Sequence, residues 1–190
     1  MSELTIRPEE EADRAAVRRV AVAAFGDEGE LIASLLEALE GDRRLSLVAE
    51  QDGEVVGHVL LSRSWVDARE ELVEVLVLSP VSVSPERQGE GIGGALVRAS
   101  LEAADAEGWS AVFLEGGPGF YGRHGFERAS AHGFVRPSVR IPDPACQVAL
   151  LRSHEPWMVG ALVYCDAFWE LDAVGLRGDV LTAVEESLGG

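Results

Sequence analysis

The chain has 190 residues, enough for one domain with a sizeable core, and its 47% apolar and 26% charged residues describe a globular protein. Sixteen arginines, no lysine and 33 acidic residues give a formal charge of −17, which repels polyanions and argues against nucleic acid as a partner. No apolar run reaches the roughly eighteen residues of a membrane span, and Met-Ser-Glu-Leu-Thr-Ile lacks the basic-then-apolar pattern of a signal peptide, so a cytoplasmic protein is expected.

Residues 4–8 read as a first strand ended by Pro8. A helix is expected over about residues 9–25, with Glu9, Glu10 and Glu11 suiting its positive end and Val17, Val20, Ala21 and Ala24 facing inward. Gly26-Asp-Glu-Gly29 breaks the chain before a second helix carrying Leu31, Ile32, Leu35, Leu36 and Leu39. Residues 45–50 and 55–62 read as strands joined by a hairpin turn at Gln51-Asp-Gly53. His58 lies in the second of them, where a lone histidine is a satisfied sheet residue before it is a catalyst. The next strand, about residues 72–83, is interrupted by Pro80, which cannot donate to a ladder and marks a bulge or a departed neighbour.

Beyond this strand, glycines at 89, 91, 93 and 94 open a helix whose apolar positions are Ile92, Leu96, Ala99 and Ala103. Glycine lets backbone approach a ligand, and the first helical turn presents unpaired N–H groups and the positive end of the dipole. Strand, turn and helix together make a phosphate or pyrophosphate site. Arg87 supplies local positive charge for an anion there, with Arg123 as an addition. Two motifs overlap. Gly89-x-Gly91-x-x-Gly94 satisfies the dinucleotide fingerprint, with Glu115 in the place of a ribose-binding acid. Against it, Ser84 to Gln88 separates turn from strand, and a long segment precedes the motif. The other motif is Gln88-x-x-Gly91-x-Gly93.

Gly108 stops the helix, and residues 111–115 form a fifth strand. Gly116-Gly-Pro118 leads into a short helix with Phe120, Tyr121 and Arg123, and Gly125-Phe126 turns into a further strand. Residues 134–140 and 147–151 read as the last paired strands. From Pro156 to Leu171 the tail is rich in aromatic residues, which pack on their own domain, form a homodimer contact or cap a cleft. Residues 179–188 form an amphipathic helix with Val180, Leu181, Val184 and Leu188 on one side. With no linker and no repeat, residues 1–190 are taken as a single domain. Cys146 and Cys165, in apolar surroundings without metal-ligand spacing, read as reduced core thiols.

Val81-x-Val83, Gln88-x-x-Gly91-x-Gly93 and Phe120-Tyr-x-x-x-Gly-Phe126, in this order, resemble the GNAT superfamily of N-acetyltransferases over about residues 4–151. Together they decide between the two motifs. Residues 117–126 are most similar to the YhbS-like branch, whose tail holds an aromatic strand like Gly160-Ala-Leu-Val-Tyr164. The resemblance implies an α/β (α+β) fold: a mixed, mostly antiparallel sheet with flanking helices, splayed between the fourth and fifth strands where the pantetheine arm lies. It implies direct transfer from acetyl-CoA, without a metal, to a primary amine of a small molecule or peptide. The acidic surface is read first as serving solubility, and second as favouring the approach of a cationic acceptor.

On the same resemblance, Gln88 heads the signature, and backbone N–H groups of Gly89, Glu90, Gly91, Ile92, Gly93 and Gly94 would hold the pyrophosphate. Val81, Ser82 and Val83 would pair with the pantetheine arm, and an N–H near Val81 would polarise the thioester. Tyr121 matches the tyrosine that protonates the departing thiolate. The chemistry supports these roles: an alkyl amine of pKa about 10.4 must lose a proton to attack, and a thiolate leaves more easily beside a donor. Several relatives carry an inward glutamate at the position of Val77. Glu74 has the opposite strand parity, so Glu115 is the best remaining carboxylate for the base, beside ordered water. A non-catalytic acyl-CoA-binding or sensing domain and a dinucleotide-binding enzyme are the competing functions.

Overall fold

Continuous buried, mostly apolar runs build the centre of the sheet in the computed structural model, which describes residues 4–188. Among the described residues the strands are β1 (Thr5–Pro8), β2 (Arg43–Gln51), β3 (Glu54–Ala68), β4 (Leu72–Val83), β5 (Ala111–Glu115), β6 (Glu127–Arg128), β7 (Cys146–Leu150) and β8 (Gly160–Val163). They form a mixed sheet in the order β1-β2-β3-β4-β5-β7-β6, with β8 pairing β3. The ladders β1–β2, β2–β3, β3–β8, β5–β7 and β6–β7 are antiparallel. β4 and β5 are parallel and pair only at Leu76↔Val112 and Val77↔Phe113, as the expected splay requires. Pro80 does not interrupt β4. It lies beyond the last of these pairs, where its missing N–H forfeits no bond to β5.

The chain folds as two compact units, and β3 and β4 contribute residues to both. The first comprises the residues up to Ser62 with Leu78–Ala104. It holds β1, β2, α1 (Arg14–Phe25), α2 (Gly29–Ala38) and most of α3 (Ile92–Ala106). The inward stripes are as expected in kind: Val17, Val20 and Ala21 of α1 and Ala33 and Leu35 of α2 are buried, followed by Leu39. In α3 the buried residues are Ile92, Gly94, Leu96, Val97, Ser100 and Ala104, while the expected Ala99 and Ala103 are only half-buried. The β2–β3 turn forms as its sequence requires, with left-handed backbone at Asp52 (φ 55°) and Gly53 (φ 80°).

The first helix starts later than its glutamates suggest. A 3-10 turn covers Glu11–Asp13, and Asp13 accepts from the Glu10 N–H at 2.8 Å, so a capping box replaces the expected acidic first turn. Glu9 turns inward instead. Its carboxylate, only 5% exposed, accepts from Ser46 Oγ and from Arg43 Nη1 at 3.0 Å, with His58 Nε2 at 3.4 Å. Burial pushes its pKa up, but His58, Ser46 and Arg43 outweigh it and bring the value down to about 2. His58 is thus a buried sheet residue, 2.8 Å from Ser46 Oγ.

The second unit comprises Arg63–Val77 and the residues from Asp105 onward. Here β3 runs six residues past its expected end at Ser62, because Trp65 to Ala68 pair with β8 at Val163 to Gly160. The expected strand over residues 134–140 does not form. Pro137 has no N–H to give, and the segment makes a single bridge, Val135↔Ala161. The strand expected over residues 147–151 does form, as β7, one residue earlier at Cys146–Leu150. The tail packs within its own unit: Leu162, Tyr164, Cys165, Ala167, Phe168 and Val174 are buried around β8 and α5 (Asp166–Glu170). In α6 (Gly178–Leu188) Val184 is buried, whereas the side chains of Val180 and Leu188 lie outside the described residues. Cys146 and Cys165 are buried and form no disulfide among the described residues.

Candidate active site

The signature turn grows out of β4. The Ser84 N–H donates to the Val56 carbonyl at 2.9 Å, and Pro85–Arg87 form one 3-10 turn. Gln88 then folds back, donating from Nε2 to the Val83 carbonyl at 3.2 Å, which fixes the chain's exit from the strand. Gly89 and Gly91 sit at φ 83° and 85°, a region that disfavours a Cβ, and a Cβ at either would meet nothing within 4 Å. Space on that side is therefore open to a ligand. The Ala95 N–H donates to the Gly91 carbonyl at 3.0 Å as α3 begins. Helix geometry leaves the preceding N–H groups at the positive end of a fifteen-residue dipole.

The four signature glycines divide the work: Gly89 and Gly91 make the turn, while Gly93 and Gly94 form the first turn of α3. Ile92 anchors that turn in the core, 3% exposed. Arg87 lies between Glu90, at 3.0 Å, and the Gln51 side-chain oxygen, so its charge is held at the turn. Val81 and Val83 are half-buried, and Ser82 is buried with no hydrogen-bond partner for its Oγ.

In the second unit, the end of β5 carries the two candidate catalytic groups. Gly116 is held from both sides, its N–H donating to the Ala145 carbonyl at 3.0 Å and its carbonyl accepting from buried Gln147 Nε2 at 3.0 Å. Pro118 starts the short helix α4 (Pro118–Tyr121). The Tyr121 ring lies flat on Gly116, with ring carbons 2.4 and 2.8 Å from where a Cβ would stand, and packs edge-on against Phe120 and Phe126. Burial pushes the Tyr121 pKa up to about 12, so the phenol keeps its proton at neutral pH and can serve as a donor. Arg123, just beyond, is exposed.

Glu115 faces the other way. Leu114 and Gly116 share the Tyr121 side of the strand, and strand parity puts Glu115 on the opposite one. Burial raises its pKa to about 7. Tyr164, the Gly175 N–H and the cationic Arg140 and Arg177 limit the rise. The Gly175 N–H reaches Glu115 Oε2 at 2.9 Å. Val77, at the alternative position, is buried and apolar, and Glu74 is exposed beside Arg63 at 3.4 Å, as its parity requires. Tyr164, Gly175, Arg140 and Arg177 were not legible as neighbours of Glu115. The aromatic strand 160–164 was visible, but nothing in its pattern names the carboxylate it reaches.

The chain as a whole is similar to known proteins. Residues 5–129 match the family model described as an acetyltransferase (GNAT) domain. The chain is 34% identical over 161 residues to the uncharacterized N-acetyltransferase YjhQ of Escherichia coli, covering 82% of this chain and 88% of that protein. It is 35% identical over 106 residues to the uncharacterized N-acetyltransferase YhbS of the same organism, covering 55% and 61%. Among solved structures, the E. coli GNAT family N-acetyltransferase YhbS in complex with CoA superposes with a TM-score of 0.78 at 28% identity, covering 94% of this chain and 97% of that one. A GNAT family acetyltransferase from Brucella melitensis in complex with acetyl-CoA gives a TM-score of 0.68 at 34% identity, covering 87% and 98%.

Proposed function

Because this chain belongs to the GNAT family of acetyltransferases and is an acyltransferase, we propose that it moves the acetyl group of acetyl-CoA directly onto a primary amine. The observation that carries this reading is the turn from Gln88 to Gly94, with two left-handed glycines open to a ligand at the start of α3. Its backbone N–H groups would hold the pyrophosphate. The neighbours solved with CoA and acetyl-CoA support that co-substrate. Val81, Ser82 and Val83 would pair with the pantetheine arm, and a backbone N–H near Val81 would stabilise the oxyanion.

In the reaction, the amine gives a proton to Glu115 and its nitrogen attacks the thioester carbonyl carbon. The C–N bond forms, the C–S bond breaks, the nitrogen sheds its second proton to solvent, and Tyr121 donates its phenolic proton to the thiolate. Glu115 and Tyr121 then exchange protons with solvent. A pKa near 7 suits a base that works at neutral pH. The net charge of −17 favours a cationic small molecule or peptide as the acceptor. Buried cysteines outside any disulfide fit a cytoplasmic protein.

A second reading, an acyl-CoA-binding domain without turnover, is favoured by one observation: Val77, at the strand position where the family resemblance leads one to expect a glutamate, is buried and apolar. An amine panel with acetyl-CoA, read as free thiol, separates the two. Amine-dependent thiol release is expected. Binding of acetyl-CoA with no release for any amine would leave the binding domain.

A further inference from the structure

The Gly175 N–H donates to the Glu115 carboxylate at the end of β5 at 2.9 Å, the buried Tyr164 phenol interacts with the same carboxylate, and both lie beyond the residues 5–129 that match the family model. We propose that the C-terminal tail completes the catalytic centre: the Tyr164 phenol and the Gly175 N–H are positioning groups that hold Glu115 as proton acceptor for the amine. This rests on the acetyl-transfer reading above and adds the device that makes its base usable.

The Tyr164 ring is 3% exposed and fixed by Phe168, with ring centroids 4.8 Å apart, and by Trp169 at 6.4 Å. Its hydroxyl makes no hydrogen bond of full geometry, and the group it interacts with is the Glu115 carboxylate. A buried phenol without a firm acceptor is costly, and ionised Glu115 would supply one. Such contacts in a free enzyme tighten when substrate binds.

Gly175 is the second support. Its φ is +95°, and a Cβ there would stand 2.9 Å from Arg140 Cβ and 3.2 Å from the Arg140 carbonyl oxygen, so glycine alone lets this N–H approach Glu115. Asp172 staples the same loop by pairing with Arg140 and, at 2.9 Å, with Arg177.

The charged and titratable groups that act on Glu115 are these two arginines, the Tyr164 phenol and the Cys146 thiol on β7. Asp172 offsets both arginines, so Glu115 is not trapped as a salt-bridged anion. A carboxylate has about four lone-pair sites. Phenol and amide use two and leave capacity for a proton. During transfer the amine proton goes to Glu115 and then to solvent, while Tyr164 keeps its own.

The pH dependence of kcat/KM tests this, measured for wild type, Tyr164→Phe, Gly175→Ala and Glu115→Gln with an amine that the wild type acetylates. In parallel, the Glu115 carboxyl resonance is titrated by carbon-13 NMR, assigned from Glu115→Gln. Losing a donor that favours the ionised form raises the carboxyl pKa, so in Tyr164→Phe both the acidic limb and the resonance should move up by roughly half to one pH unit. Gly175→Ala should move both in the same direction, and Glu115→Gln should abolish the limb. A Tyr164→Phe enzyme that is slower at every pH, with limb and resonance unmoved, would show mere packing and overturn the proposal. So would a shifted resonance with an unmoved limb, since Glu115 would then not be the base. Failure of the wild type to acetylate any amine would instead sink the acetyl-transfer reading, with the resonance still reporting whether the tail holds Glu115.

Discussion

Tyr121 and Glu115 are tuned by the same force, burial, with opposite consequences. For the phenol, loss of water stabilises the neutral form that a thiolate needs as donor. Tyr121→Phe keeps the ring on Gly116 and removes only the acidic proton. General acid catalysis contributes about 10² to 10⁴ in rate, so kcat should fall at least about tenfold with little change in acetyl-CoA affinity, read by steady-state kinetics and calorimetry. Turnover within about twofold of wild type, with chemistry rate-limiting, would make Tyr121 a packing residue. For the carboxylate, burial is a standing cost. Its folded pKa of about 7 lies above the ordinary 4.5, so between these values the folded chain holds a proton that the unfolded chain has released. Stability is therefore fully present below about pH 4.5, falls as pH rises, and levels off above about 7. Glu115→Gln should relieve up to about 3 kcal/mol at pH 8 and almost nothing at pH 4.5, seen as a melting temperature that rises only at the higher pH. Such a gain beside lost turnover is the usual mark of a strained functional group.

The element that does most for cofactor binding is the turn between β4 and α3. Gly91→Asp would put a side chain on left-handed backbone and a negative charge among the N–H groups meant for a pyrophosphate. One lost charge-assisted hydrogen bond is worth about 1.5–3 kcal/mol, so coenzyme A affinity should fall at least tenfold by calorimetric titration while circular dichroism stays native. The turn was legible because glycine spacing is a local property, as were the β2–β3 hairpin and the short β5. What the sequence hid was non-local. Arg63 to Ala68 carry no clean alternation, and only pairing with β8 makes them strand. Phe134 to Arg140 looked strand-like in composition, yet Pro137 and a single bridge keep the segment irregular. Glu9 read as a helix-start charge, and only the fold brings Ser46, His58 and Arg43 around it. The same holds for the site: the motif residues could be named from spacing, but the groups around Glu115 come from three separate tail and loop segments.

At the scale of the whole molecule, the aromatic tail is structural. β8 pairs along β3 from Trp65 to Ala68, and Tyr164, Phe168 and Val174 are buried behind it. Ending the chain after Arg152 should expose this surface and strip Glu115 of its partners. The truncated protein should melt well below wild type, or aggregate, by scanning calorimetry and light scattering. A soluble truncation with unchanged melting would mean that the tail supports nothing. The β3–β8 pairing also sets a timetable. Ser64 and Cys165, joined by a backbone-to-hydroxyl hydrogen bond, stand 101 positions apart in the chain. On the ribosome, the outer half of β3 must wait with an unsatisfied edge until β8 has emerged. Unpaired edges of this kind recruit other chains. The interval between the two strands is therefore when a nascent chain is most exposed to misassembly and most in need of a chaperone, and slowed translation within it should lower the yield of soluble protein.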